Sequence, residues 1–309
     1  MPILERTCGR NWEVYARGCD ASRFEKLKAL RAEFIKSGII IDLGSGTGIV
    51  EVLLSDLFSA GGIPDGNYFV VGVDISREML ETSKSRKSDY KNLETDFVRC
   101  DTTKSCIAGS CADTVLCFSF LHERYSDSGL GEMVNDLHDA YRMLKPGGRL
   151  IIRDGVKPDN GNVYVEFGNG DTEKVFYRFA RDFKPCKEPD YKLRFEKLNG
   201  GKIKLSVADC FEFLTKYIYR ENWDIEVKER FGVLTAGQWK ELLKNMGFGI
   251  LHQETHLIHY LKNRYVQDGI RLYKSKNKNK NADAMACDGY ASCEYPDSTM
   301  ILVAEKGRV

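Results

Sequence analysis

The sequence predicts an α/β protein in which strands and helices alternate and helices cover both faces of one sheet. Three stretches carry the prediction. Ile39-Ile-Ile-Asp-Leu43 is a short apolar run; Gly44, Gly46 and Gly48 follow it, and then Glu51, Leu53, Leu54 and Leu57 recur at helical spacing. Tyr68–Asp74 is a second apolar run, ending in an acid. Leu130–Leu144 reads as a helix stopped by Lys145-Pro-Gly-Gly148, and the strand-like Arg149–Arg153 comes directly after it.

Taken in order, Phe24, Leu27, Leu30 and Phe34 recur at helical spacing behind Trp12, Tyr15 and Arg17. This helical lead-in has two readings, packing on the sheet edge or a flap over a ligand. The first strand then runs into the glycine turn, where glycine accepts positive φ and lets backbone approach a ligand closely. The helix beyond offers free N–H groups, so a nucleotide-like ligand is expected here. After the loop Ser59–Asn67 comes the second strand, whose terminal Asp74 is placed to accept from both ribose hydroxyls. A third strand, Asp96–Cys100, ends in Asp101-Thr102, and a fourth, Asp113–Phe118, leads into Ser119-Phe-Leu-His122-Glu123-Arg124-Tyr125. Residues 156–234 are an insertion in which aromatic residues and the basic Arg178, Arg181, Lys184 and Lys187 interleave, with a helix expected over Phe211–Arg220. The favoured reading is a cap with its own core; the other is a stacking platform for nucleic acid. A helix begins at Thr235, where Gln238 stands at the reciprocal capping-box position. The strands Phe248–His256 and Thr299–Lys306 close the sheet as an edge hairpin, interrupted by a long insert whose Lys274–Asn281 stretch is expected to be a mobile loop.

The glycine turn reads G-x-G-x-G, with Asp42 ahead of it. It lacks the third glycine of a dinucleotide fingerprint and the Gly-Lys-Ser/Thr of a phosphate-binding loop. It resembles motif I of the class I S-adenosylmethionine-dependent methyltransferases, D/E-x-G-x-G-x-G. The acids at 74 and 101, the Leu-Lys-Pro-Gly-Gly run and the order of the five strands extend the resemblance over residues 37–155. The resemblance implies a Rossmann-like seven-stranded mixed sheet with helices on both faces and an inserted α+β cap. It implies S-adenosylmethionine as cofactor, held by Asp42, Gly44, Ser45, Gly46, Gly48, Asp74, Ile75, Asp101, Thr102, Phe118 and Ser119. Asp101 is the acid that such enzymes turn to the adenine amino group. The expected organisation is a lead-in over 1–36, a core over 37–155, a substrate cap over 156–234, and a C-terminal return to the core over 235–309 with a mobile insert near 262–297.

Methyl transfer from a sulfonium is an in-line displacement that needs a positioned nucleophile and often the removal of a proton. Candidates lie at the carboxyl ends of the fourth and fifth strands, where ligands bind in open α/β sheets. His122 is either a general base or a histidine packed under the cofactor. Glu123 orients an amine or hydroxyl, and Arg153, beside Asp154, binds a substrate carboxylate or pairs with a neighbouring acid. The run His252-Gln-Glu-Thr-His256 is not the H-E-x-x-H of zinc proteases, and a strand edge is preferred there, so no metal site is expected.

The charge is nearly balanced, 46 basic against 45 acidic residues in 309, which leaves no broad field for an anionic polymer. The ten cysteines include no C-x-x-C pair, no run of eighteen apolar residues occurs, and the first residues carry no apolar secretory core. The expectation is a cytoplasmic enzyme with reduced thiols, acting on a small molecule or natural product without membrane or nucleic-acid partners. An RNA or protein methyltransferase and a non-catalytic cofactor-binding subunit are the alternatives. Neither the acceptor atom nor the oligomeric state is readable.

Overall fold

In a computed structural model the described residues are 11, 13, 23–63, 65–91, 93–276 and 289–308. Trp12, Tyr15, Arg17 and most of the Lys/Asn-rich stretch lie outside them. The helices are α1 Arg23–Leu27, α2 Ile49–Ser59, α3 Arg77–Ser85, α4 Leu121–Ser128, α5 Leu130–Met143, α6 Gly170–Asp182, α7 Val207–Lys216, α8 Trp223–Glu226, α9 Ala236–Asn245 and α10 His259–Gln267. The strands are β1 Gly38–Leu43, β2 Tyr68–Asp74, β3 Glu94–Arg99, β4 Ala112–Phe118, β5 Leu144–Gly155, β6 Asn162–Phe167, β7 Phe195–Lys197, β8 Ile203–Ser206, β9 Phe248–His256, β10 Ile270–Ser275, β11 Tyr290–Ser292 and β12 Thr299–Lys306.

The larger sheet has seven strands in the order β3-β2-β1-β4-β5-β12-β9. Strands β1 to β5 pair in parallel, and β12 lies antiparallel between β5 and β9. The expected Rossmann-like mixed sheet is therefore present. Its strands are apolar on both sides because both faces are covered. Ile41, Val115, Cys117, Leu150, Ile152 and Leu302 pack on one face with Met133, Leu137 and Met143 of α5 and Trp239 and Leu243 of α9. Their chain neighbours Ile40, Leu116, Ile151, Ile301 and Val303 point the other way, to Ile49, Val50, Leu53 and Leu54 of α2. This alternation is the period-two geometry of a strand. The Thr235 capping box forms as expected and fixes the start of α9.

Elsewhere the structure departs from the sequence reading. The helix expected over Phe211–Arg220 starts four residues earlier, because Ser206 caps it by accepting from the Asp209 N–H. The insert near 262–297 is not a loop throughout. It supplies α10, β10 and β11, and β10 pairs with β6. The second sheet, β11-β10-β6-β8-β7, thus draws strands from two stretches of chain separated by α9 and β9. The aromatic residues of the insertion build its core, where Phe176, Phe179, Phe183, Phe213 and Tyr217 are almost fully buried with Tyr265 of α10. A disulfide joins Cys100 to Cys106, contrary to the expectation of reduced thiols throughout. Among the described residues no helix is long and apolar enough to cross a membrane.

Candidate cofactor and acceptor site

β1 delivers the chain into a turn whose glycines all have positive φ: 76° at Gly44, 55° at Gly46 and 75° at Gly48. Two of them also have no room for a side chain. A Cβ on Gly44 would stand 2.6 Å from the Phe120 ring, and one on Gly48 2.3 Å from the Tyr90 hydroxyl. The Gly44 and Ser45 N–H groups donate to the Val73 carbonyl, at 2.8 and 3.1 Å, which pins the turn to the end of β2. α2 then starts without a side-chain cap, so its first N–H groups face the turn.

Asp74 ends β2 beside this turn. One of its carboxylate oxygens accepts from the Gly46 N–H at 2.9 Å and the other from the Ser76 N–H at 2.8 Å. Burial pushes its carboxyl up to about 6 against the pull of those donors. Each oxygen keeps a second lone pair for a ligand hydroxyl. Ile75 follows, and its carbonyl accepts from the Arg99 side chain. Asp101 and Thr102 lie just past β3 inside the loop closed by the Cys100–Cys106 disulfide, and the Thr102 hydroxyl donates to Asp136 of α5 at 2.9 Å. A turn with glycine at every second position, an acid at each of two neighbouring strand ends and the orphaned hydroxyls of Ser45 and Thr47 fit an adenosine-bearing cofactor with a polar tail.

The second half of the site stands at the ends of β4 and β5. Ser119 has φ 56°, a conformation costly for a residue with a Cβ. It is held by its N–H donating to the Arg153 carbonyl at 2.8 Å and by its hydroxyl accepting from the Arg153 guanidinium at 2.9 Å. The segment after it forms α4. Asp154 organises its first turn: one carboxylate oxygen accepts from the Leu121 and His122 N–H groups, and the other meets His122 Nδ1 at 2.5 Å. Burial opposes charge on this imidazole, yet Asp154, with Glu229 and Glu123 near, overcomes it and pushes His122 up to about 9. Sequence reasoning placed Asp154 in the cleft without giving it this role; the signal was its position next to Arg153 at a strand end.

The cap closes over His122 through Phe231, whose ring meets the imidazole edge-on at 4.6 Å. Glu212 of α7 holds that strap by accepting from the Phe231 and Gly232 N–H groups and pairing with Lys216. Gly44, Ser45, Gly46, Phe118, Ser119, His122, Glu123 and Arg153 come together on the wall of one cavity of about 220 Å³. Its far wall includes Tyr219, Asn222, Phe231, Ile258 and Leu261. Asp42, Gly48, Asp74, Ile75, Asp101 and Thr102 are not in that wall; Asp42 is buried under the turn, and the others flank it. Burial lowers the Arg153 pKa, and its Nε has no hydrogen-bond partner among the described residues.

Fold and site together define a Rossmann-like protein built around a nucleoside-bearing cofactor. Residues 40–148 match the methyltransferase domain family. A ubiquinone/menaquinone biosynthesis C-methyltransferase of Desulfotalea psychrophila is 28% identical over 152 residues, covering 49% of this chain and 55% of that protein. A demethylmenaquinone methyltransferase of Thermus thermophilus is 31% identical over 123 residues, covering 40% and 49%. The chain spans about half the length of these curated relatives. Among solved structures, the Haloferax volcanii protein in complex with the Trm112 methyltransferase activator has a TM-score of 0.52 at 14% identity, over 100% of this chain and 99% of that one. A SAM-dependent methyltransferase from Thermotoga maritima reaches 0.50 at 15% identity, over 99% of each chain; these two likenesses bear on the fold alone. Residues 40–148 thus carry the likeness to methyltransferases that the family model and the curated relatives share.

Proposed function

We propose that the chain methylates a small, largely apolar acceptor that carries an ionisable hydroxyl, such as a phenol or quinol. The observation that carries this reading is the single cavity running from the glycine turn to His122 and Arg153, roofed by cap residues. A roofed cavity whose aromatic and aliphatic side chains stand beside a few charged ones, Lys26, Glu123, Arg153, Lys216, Glu226 and Glu229, suits a small ligand better than a polymer. The relatives named for ubiquinone and menaquinone C-methylation point to the same acceptor class.

S-adenosylmethionine, when bound, supplies a sulfonium methyl group for in-line displacement. Gly44–Gly48, Asp74 and Asp101 are the residues proposed to hold it, with Asp42, Ser45, Ile75, Thr102, Phe118 and Ser119 around them. His122, raised to about 9, is charged at neutral pH. It therefore acts as a donor to an oxyanion rather than as a base. With the unpartnered Nε of Arg153 it favours the ionised form of an acceptor hydroxyl, which gives its proton to solvent on binding. The charge of that oxyanion makes the acceptor atom nucleophilic. Asp154 sets the imidazole orientation, and Glu123 is proposed to orient the acceptor. The test is transfer of labelled methyl groups to a panel of phenols and quinols, amines and RNA. Labelling of the hydroxylated aromatics is expected; labelling of RNA alone would overturn the proposal.

A further inference from the structure

Two carboxyl groups lie beneath the glycine turn where the core should be apolar. Asp42 is 1% exposed and Glu51 is fully buried. They belong to one cluster. Asp42 faces Gly72 across the β1–β2 ladder, and Glu51 Oε1 stands 2.8 Å from where a Cβ on Gly72 would be. None of the four carboxyl oxygens accepts a hydrogen bond from another described residue, and the Ser45 and Thr47 hydroxyls beside them are orphaned as well. A buried, unsatisfied carboxylate is destabilising, so its retention calls for a reason. A hydrophobic residue at 51 would continue the apolar face of α2, where Val50, Leu53 and Leu54 are buried.

The groups that face the pair from each neighbouring element define its charge. Lys26 of α1 acts on both carboxyls and draws them toward ionisation. Asp74 of β2 repels both. The Tyr90 phenol and the Cys117 thiol are pushed up, chiefly by burial, and remain neutral. Burial raises Asp42 well above the carboxylate range, with repulsion from Glu51 adding to it, and burial raises Glu51 to about 7. Burial pushes both of these acids toward keeping a proton, and the one lysine that acts on both opposes it, so their titrations are linked.

We propose that Asp42 and Glu51 form one proton-sharing carboxyl pair beneath the Gly44–Gly48 turn, and that Glu51 thereby makes the site favour the positively charged cofactor over its neutral product. The inference rests on the cofactor reading above. S-adenosylmethionine carries one more positive charge than S-adenosylhomocysteine. A cation entering above the pair stabilises its ionised form, so the shared proton passes to solvent. The thioether product, lacking the sulfonium charge, gives the pair less reason to ionise. The ribose and adenine are common to both ligands, so any proton that the ribose draws from Asp74 cancels in the comparison.

The experiment is calorimetric titration of the full chain with each ligand at pH 7, in two buffers of different ionisation enthalpy. This counts protons released on binding without reference to turnover. The wild-type protein should release more protons with S-adenosylmethionine than with S-adenosylhomocysteine. Its affinity ratio for the two should rise severalfold between pH 6 and 8. Both differences should vanish in Glu51→Gln and in Glu51→Met, the second of which also removes the buried polar group and should melt higher. Equal proton counts for the two ligands in the wild-type protein overturn the inference alone, as does an undiminished difference in either folded variant. No heat from either ligand overturns the cofactor reading with it.

Discussion

The Phe231 carbonyl oxygen lies 2.3 Å from where a Cβ on Gly155 would sit. The last residue of β5 is therefore the contact on which the cap strap rests, one residue beyond Asp154 and in line with His122. The strap continues alongside, with the Lys157 N–H donating to the Leu234 carbonyl at 3.0 Å. Glu212 fixes its height from the other side. A methyl group at 155 would meet the Phe231 backbone first and the Phe231 ring at 2.9 Å, so moving the ring alone would not make room. Gly155→Ala should lower stability by about 1–3 kcal/mol, the usual cost of overpacking. Urea unfolding should show this as a lower midpoint at unchanged slope. A midpoint equal to wild type would mean that the strap is free to move.

The His122–Asp154 pair sets a pH signature. The folded imidazole sits at about 9, above its value of roughly 6.5 in an unfolded chain. Its charged form thus stabilises the fold below about 6.5, and that contribution is lost as pH rises toward 9. In Asp154→Asn the main attraction is gone and burial, which lowers the imidazole, gains weight. Proton NMR should find His122 near 9 in the wild type and clearly lower in the variant. The stability gap between the two proteins should narrow as pH rises from 6.5 to 9.

Asp74 is expected to serve both the turn and the ligand. Asp74→Ala removes the acceptor of the Gly46 N–H and, on the proposed role, that of the ribose hydroxyls. Hydrogen bonds to a charged group contribute roughly 1.5–3 kcal/mol each, so affinity for S-adenosylhomocysteine should fall at least tenfold while the fold survives. The carboxyl lies at about 6 because of burial. Its ionised form is lost as pH falls through that value, and wild-type affinity should weaken between pH 7 and 5. Calorimetry across that range checks both statements.

The Cys100–Cys106 link closes a short loop around Asp101 and Thr102. Chain-entropy arguments assign a loop of that size about 2 kcal/mol. Cys106→Ser should melt lower than the oxidised wild type and match the wild type held in reductant. If reductant leaves the wild-type melting temperature unchanged, the link does not contribute to stability.

The large sheet was readable because its signals are local. Ile39–Leu43, the glycine turn and the Lys-Pro-Gly-Gly stop each announce themselves within a dozen residues, and Thr235 with Gln238 fixed a helix start. The second sheet was not readable. Val163 and Val165 alternate as strand residues should, but one of their partners is Leu272, over a hundred residues away. Nothing near either segment names the other. The site divides in the same way. His122, Glu123 and Arg153 stand at strand ends that topology marks in advance. Phe231 and Glu212 reach the site only through packing of the cap, and Glu51 sits in a helix pattern that merely seems to lack one apolar residue until its burial is known.

β6 occupies the middle of the small sheet, flanked by β8 on one side and β10 on the other. As the chain leaves the ribosome, β6 and β8 emerge early, while β10 arrives only after β9 has been synthesised for the large sheet. Until then one edge of β6 stays open, and an open edge invites pairing with other chains. The two sheets are threaded through each other in order of synthesis, so neither can be cut out as a contiguous segment. A fragment spanning 156–234 would expose the β6 edge permanently, and shortening the chain before residue 270 would do the same while also removing β12 from between β5 and β9 of the large sheet.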